Sequence, residues 1–208
     1  LDAVDADAAL IGAVNTVYLK DGRACGANTD GKGFLQSLRD ADIPVKGARV
    51  TLLGAGGAAK AIAVELALAG AAKLNIVNRT PERGQALAAL LREKTPAEAA
   101  YLPWTPAVRI PEDTQILINA TNIGLYPDPS CPDIDFSTVR PDMIVCDVVP
   151  NPPQTAFLKR AQALGCKTLD GLSMLVNQGV IGLKIWTGRD APKALMQQAL
   201  AAEFGVQD

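Results

Sequence analysis

The sequence predicts an α/β protein built around a doubly wound parallel sheet. Three observations predict it. Short runs that are apolar throughout recur along the chain, as strands buried on both faces require. Between them lie segments whose apolar residues fall at helical spacing. One run leads straight into a glycine-rich bend that opens a helix, the junction of a βαβ unit.

Residues 1–10 (LDAVDADAAL) read as the end of a helix. Residues 11–30 hold two β-like runs about the turn Lys20-Asp21-Gly22-Arg23, a hairpin signal. From Gly31, residues Phe34, Leu35 and Leu38 mark a helix. Residues 48–53 (ARVTLL) read as a buried strand, followed by GAGGAA and a helix, and residues 74–78 (LNIVN) as a second strand. Residues 81–92 form a helix with proline in its first turn. Residues 115–121 and 143–149 are two more apolar strands. Residues 154–164 form an amphipathic helix closed by Gly165. Residues 166–169 make a short strand, and residues 172–186 and 191–204 two last helices. The proline-rich stretch 126–141 reads as a loop over the end of the sheet.

Composition bounds the function. Of 208 residues, 49% are hydrophobic and 20% charged, which excludes a disordered chain and gives enough length for one large or two modest domains. The net charge of −2 and the lack of a Lys/Arg block argue against a nucleic-acid partner or a polybasic membrane anchor. No apolar stretch reaches the roughly 18 residues of a membrane helix, and no basic-then-apolar leader is visible. With no histidine, Ser-His-Asp and Cys-His catalysis and His-bearing zinc sites are excluded. The four cysteines show no C-x-x-C spacing, so no metal site is expected and reduced thiols in a cytoplasmic protein are.

The glycine-rich bend carries the first chemistry. Gly54-Ala55-Gly56-Gly57-Ala58-Ala59 fits G-x-G-x-x-A in strand-to-helix context, the fingerprint of a Rossmann-like dinucleotide site. Gly54 allows the tight turn, Gly56 lets backbone approach a pyrophosphate, and Ala59 lets helix and strand pack closely. The helix then presents unpaired N–H groups and its positive dipole end to phosphate. NAD sites carry Asp or Glu about 20 residues after the first glycine. Here the second strand ends Asn78-Arg79-Thr80, with Arg83 behind. Guanidinium groups and a hydroxyl welcome a 2′-phosphate that a carboxylate repels, so the expected cofactor is NADP. A plain glycine turn with two solvated arginines is the alternative.

Six motifs in one order then carry a resemblance: GAVNT (12–16), NTDGKG (28–33), GAGGAA (54–59), NRTPER (78–83), NAT (119–121) and DGLSMLVNQG (170–179). Together they resemble the shikimate/quinate dehydrogenase family across essentially the whole chain. The resemblance implies a Rossmann-like NADP domain and a smaller α/β substrate domain, with catalysis in the cleft between them. Residues 1–29 would be the remainder of the substrate domain, 30–171 the NADP domain, and 172–208 helices packing back on the substrate domain. It implies hydride transfer between NADP(H) and a cyclic hydroxy or keto acid such as shikimate, with a Lys-Asp catalytic pair. Asp30 matches that Asp. Asn15, Thr29 and Gln178 match side chains that bind substrate hydroxyls. Asn78, Arg79, Thr80 and Arg83 match the 2′-phosphate loop. Thr121, Val148, Gly171 and Met174 match the lining of the nicotinamide end.

Elementary chemistry agrees with these roles. A polyhydroxylated ring needs short convergent donors and acceptors. An alcohol giving up hydride needs a base within about 3 Å of its hydroxyl. Each residue also has a plainer reading: Asn15 and Asn28 as turn formers, Asp30 as a helix N-cap, Gln178 as an amide at the core edge.

Two departures stand against the family pattern. The family's catalytic Lys, and a Ser-bearing segment that holds the substrate carboxylate, lie upstream of GAVNT. About 70 residues, on the order of half a typical domain, are expected to precede this point in members. A truncated chain, or a second chain carrying that part, is expected, and these 208 residues alone are expected to bind cofactor without turnover. Lys20 and Lys32 are the nearest substitute amines, and both read as surface residues. Second, members commonly carry Asp-x-x-Tyr-x-P, whereas this chain reads Asp147-Val148-Val149-Pro150-Asn151-Pro152. The lost phenol points to an altered substrate. Rival readings are a nucleotide-binding remnant or sensor, and a dehydrogenase of a quinate- or aminoshikimate-like acid.

Overall fold

The computed structural model describes residues 1–205. The chain starts with β1 (Ala3–Val4) and α1 (Ala6–Ile11). The opening is therefore not one helix end. The Asp2 and Asp5 N–H groups donate to the carbonyls of Ala24 and Gly26, both at 2.8 Å, which draws the first residues into a strand. The hairpin comes next as β2 (Thr16–Lys20) and β3 (Arg23–Ala27), paired antiparallel. Asp21 and Gly22 both sit at positive φ, 52° and 74°, the twist that joins right-handed strands through two residues. These strands form a small sheet in the order β1-β3-β2.

The rest builds the larger sheet and its helices. In order come α2 (Asp30–Asp40), β4 (Arg49–Leu53), α3 (Gly57–Leu68), β5 (Lys73–Asn78), α4 (Pro81–Lys94) and β6 (Glu98–Pro103). Then come β7 (Val108–Arg109), β8 (Ile116–Asn119), β9 (Ile134–Asp135), β10 (Ile144–Asp147), α5 (Ala156–Ala163), β11 (Lys167–Leu169), α6 (Gly171–Thr187) and α7 (Lys193–Glu203). The six strands run β11-β10-β8-β4-β5-β6, all parallel. Connections wind outward in both directions from the β4/β8 pair. That pair is the topological switch point, where the strand ends leave a crevice.

Side chains alternate across this sheet with the period of two that a strand imposes. Val50, Leu52, Leu74, Ile76, Ile116, Ile118 and Cys146 pack on one side with α2, α3 and α4. Leu53, Val77, Leu117 and Val145 pack on the other with Phe157, Leu158 and Ala161 of α5. Both faces are covered, which is why the strands read as apolar throughout.

Two parts departed from expectation. β6 is not marked in the sequence because EAAYLP is alanine-rich, ends in proline and lies at the sheet edge, where Tyr101 and Leu102 are only partly buried against the two sides of the core. Within the stretch 126–141, Ile134–Asp135 pairs with Val108–Arg109 as a two-residue ladder, and Phe136–Thr138 forms a turn of 3-10 helix. Burial of Ile134 and Val139 against the α5 side of the sheet fixes that segment in place.

Close contacts hold α2 between the two parts of the chain. A Cβ on Gly31 would stand 2.3 Å from the Ala61 carbonyl oxygen of α3. A Cβ on Gly33 would stand 2.8 Å from the Gln178 nitrogen of α6. These glycines let α2 touch both helices, which brings Thr29, at the start of α2, beside Gln178.

Candidate active site

The glycine bend lies at the switch point. Gly54 leaves β4 at φ 111°, with its Cβ position 2.8 Å from the Ala120 carbonyl oxygen at the end of β8. Any side chain there is strained and blocked. A Cβ on Gly56 or Gly57 would instead meet no protein atom within 4 Å, so it would project into open space over the bend. Gly56 caps α3 with no side chain bonded to the first-turn N–H groups, which leaves those donors free at the positive end of the helix. A crevice of about 290 Å³ opens here, lined by Gly54, Ala55, Gly56, Asn78, Arg79, Thr80, Trp104 and the segment 120–123. Donors without partners, a bare backbone bend and a cationic end fit a dinucleotide.

The end of β5 supplies the cations. The Asn78 amide donates to the Thr80 carbonyl at 2.8 Å, and the Tyr101 hydroxyl donates to the Asn78 carbonyl at 3.2 Å. Gly84 lies so close to the Tyr101 ring that an added Cβ would stand 2.4 Å from it, which pins the first turn of α4 to β6. Arg79 and Arg83 are exposed, and neither takes part in an ion pair among the described residues. No Asp or Glu lines the crevice. Arg83 lines a neighbouring depression of about 380 Å³ with Lys60, Gly56, Gly57, Gly12 and Ala13.

That depression shares Ala55 and Gly56 with the crevice and reaches Ala13, two residues before Asn15 in a cluster of polar side chains. Asn15 donates from Nδ2 to Asp30 Oδ1 at 2.8 Å and to Thr29 Oγ1 at 3.1 Å. Asn15 Oδ1 accepts from the Thr29 N–H at 2.9 Å and from the Thr16 hydroxyl at 2.9 Å. The Thr29 hydroxyl lies 3.3 Å from Gln178 Oε1. Thus the hairpin, the start of α2 and the middle of α6 deliver Asn15, Thr29, Asp30 and Gln178 to one place. Asp30 is the first residue of α2 rather than its cap, and its N–H donates to Asn28 Oδ1 at 3.1 Å. One Asp30 oxygen is thereby oriented by Asn15.

The wall beyond the bend is a buried polar network. Asp147, at the end of β10, accepts from Thr155 Oγ1 at 2.7 Å, Asn119 Nδ2 at 3.0 Å and the Val149 N–H at 3.0 Å. Burial pushes its carboxyl up to about 6, against the pull of those donors. Asn119 in turn accepts from the Thr121 hydroxyl at 2.7 Å, which holds Thr121 at the crevice. Val148, Gly171 and Met174 stand apart from the crevice lining. A Cβ on Gly171 would lie 2.5 Å from the Val149 carbonyl oxygen, so α6 starts directly against the loop after β10. Met174 faces Gly33 of α2.

Of the two substitute amines, Lys32 is held by Asp7 at 2.8 Å, and Lys20 is an exposed residue at the hairpin turn. Among the described residues no amine forms an ion pair with Asp30. Sequence reasoning missed Trp104, Asn122, Ile123 and Lys60. Trp104 directly follows the unread β6, so its place beside Arg79 had no local signal. Lys60 was legible from helical spacing, one turn after Gly56-Gly57.

Comparison with known proteins identifies the family. The family profile described as Shikimate / quinate 5-dehydrogenase matches residues 37–125, and that of the Shikimate 5′-dehydrogenase C-terminal domain matches residues 171–201. The shikimate dehydrogenase (NADP(+)) of Moorella thermoacetica is 43% identical over 99% of this chain and 70% of its own length. The ligand-free 5-ketofructose reductase of Gluconobacter sp. strain CHM43 is 52% identical over 98% of this chain and 73% of its own, with a TM-score of 0.94. The shikimate 5-dehydrogenase of Thermus thermophilus, solved with NADP(H) and shikimate, is 36% identical over 97% and 72%, with a TM-score of 0.82. The chain belongs to the shikimate/quinate dehydrogenase family of oxidoreductases.

Proposed function

We propose that the protein transfers hydride between NADP(H) and a polyhydroxylated substrate, in the manner of the shikimate 5-dehydrogenases it resembles. The observation that carries this is the pairing of two sites. One is a crevice with a bare glycine bend and unpaired arginines. The other is the Asn15–Thr29–Asp30–Gln178 cluster, which begins two residues after Ala13 on the wall of the depression that adjoins the crevice. The pyrophosphate lies on Gly54, Ala55, Gly56, Gly57 and Ala58, and the 2′-phosphate between Asn78, Arg79, Thr80 and Arg83. Thr121, Val148, Gly171 and Met174 flank the nicotinamide end. Asn15, Thr29 and Gln178 bind substrate hydroxyls, and Asp30 orients or deprotonates the reacting one. Free Cys25, Cys131, Cys146 and Cys166 suit a cytoplasmic enzyme. No described helix is long and apolar enough to cross a membrane.

A specific observation favours a second reading of the substrate. The reductase named for 5-ketofructose is 52% identical to this chain, and Pro150 stands where members commonly carry a substrate-touching Tyr. A polyhydroxy ketone without a ring carboxylate then replaces shikimate. The test is a panel of shikimate, quinate and 5-ketofructose, each assayed with NADP(H) and NAD(H). Preference for NADP(H) with any of the three supports the reaction. The ratio of kcat/KM values assigns the substrate, and absence of NADP(H) binding overturns the reading.

A further inference from the structure

We propose that Trp104 is a positioning residue for cofactor choice, holding the Arg79 guanidinium over its ring so that the guanidinium N–H donors are presented to the 2′-phosphate. This deepens the NADP reading and rests on it. The Arg79 Cζ lies 5.3 Å from the centroid of the Trp104 ring, within the range of cation–π attraction. Both residues line the same crevice, beside Asn78 and Thr80.

A cation–π contact is an attraction of the whole cation to the face of the indole, and it leaves the N–H donors along the guanidinium edge available to pair with phosphate oxygens. Arg79 is exposed and is not in an ion pair among the described residues, so that edge is uncommitted. A free arginine side chain in water samples many rotamers, and a ligand has to select one of them. The indole makes that selection beforehand.

Trp104 is itself fixed for this role. Its Nε1 donates to the Asp133 carbonyl at 3.2 Å, and its backbone N–H donates to the Asn78 carbonyl at 3.3 Å. One bond anchors the ring to the segment before β9. The other ties it to the strand end that carries Arg79. The ring and the arginine thus keep a common frame, and the platform is half-buried rather than loose on the surface.

The experiment compares adenosine 2′,5′-bisphosphate with 5′-AMP, and NADP with NAD, by equilibrium titration of the purified protein and of Trp104→Leu, Trp104→Phe and Arg79→Ala. Expected is at least a tenfold loss of affinity for the 2′-phosphorylated ligands in Trp104→Leu. The unphosphorylated ones should change less than twofold, and Trp104→Phe should recover most of the loss. In the Arg79→Ala background, Trp104→Leu should add nothing further, because the ring acts through the arginine. Thermal melts check that each variant is folded. Equal losses for both ligand classes overturn the proposal and make Trp104 a purine platform. Full discrimination retained in folded Trp104→Leu overturns it as well, while leaving NADP binding intact. A wild-type protein that does not prefer the bisphosphate overturns the NADP reading and this proposal with it.

Discussion

Asn15 donates to Asp30 at 2.8 Å across the junction between the small sheet and α2. The bond fixes the carboxylate in one orientation and joins the hairpin to the helix that abuts the dinucleotide fold. Asp30→Asn in the catalytically competent protein should lower kcat by about a hundredfold or more, the usual yield of positioned acid–base chemistry. NADP affinity and melting temperature should stay close to wild type. Near-normal turnover in folded Asp30→Asn removes Asp30 from the reaction.

Arg79→Ala should weaken NADP binding at least tenfold, since a charge-assisted bond contributes roughly 1.5–3 kcal/mol and tenfold is about 1.4 kcal/mol. NAD should be nearly unaffected. Titration calorimetry with both cofactors measures the ratio directly, and equal loss for both contradicts the 2′-phosphate assignment.

Gly54 is the one bend residue that has both a positive φ of 111° and a blocked Cβ position, 2.8 Å from the Ala120 carbonyl oxygen. Gly54→Ala should cost about 1–3 kcal/mol of stability. At roughly 2–4 °C per kcal/mol for a chain of this size, a melting scan resolves it. Gly57→Ala, where the Cβ position is open, should melt near wild type. If the two variants melt alike, the bend is not built as described.

Asp147 satisfies Asn119, Thr155 and the Val149 N–H at once. Asp147→Ala leaves the Thr155 hydroxyl and the Val149 N–H without this acceptor and Asn119 with only the Ile123 carbonyl, and should destabilise the fold by about 2–4 kcal/mol. NADP affinity should fall too, because Asn119 places Thr121. A melting temperature within a degree of wild type contradicts the role given to the network.

Glu65 gives the pH dependence. Burial, then the neighbouring Asp7 carboxylate, pushes its carboxyl up to about 7, and its Oε1 is buried with no hydrogen-bond partner among the described residues. An unfolded glutamic acid titrates near ~4.3. Between those values the native state keeps a proton that the unfolded chain has lost. Stability therefore falls as pH rises through this window, and the contribution is gone above about 7. Glu65→Gln removes the titration. From about pH 5 to 8, wild type should lose on the order of 2 kcal/mol more stability than Glu65→Gln. Parallel stability curves contradict a raised Glu65 carboxyl in the folded state.

Much of this was legible because each strand carries its own signal. Val50, Leu52 and Leu53 mark β4, and GAGGAA marks the bend at its end. The Asp21-Gly22 turn was readable because only certain residues accept left-handed backbone. β6 was not legible because its residues are alanine-rich and end in proline, and the Val108–Ile134 pairing because its two strands have two residues each and are held by long-range burial. The site divides the same way. Asn15, Thr29, Asp30 and Gln178 came through resemblance, and the bonds among them could only be seen once the hairpin, α2 and α6 were folded together. Trp104 escaped because cation–π partners 25 positions apart leave no trace in spacing.

The central claim is a phosphorylated dinucleotide held between the glycine bend and Arg79. Calorimetric titration of the wild-type protein with NADP and NAD tests it most directly. The account predicts one site per chain and at least tenfold tighter binding of NADP. Absence of heat with NADP, or equal affinity for the two cofactors, contradicts it.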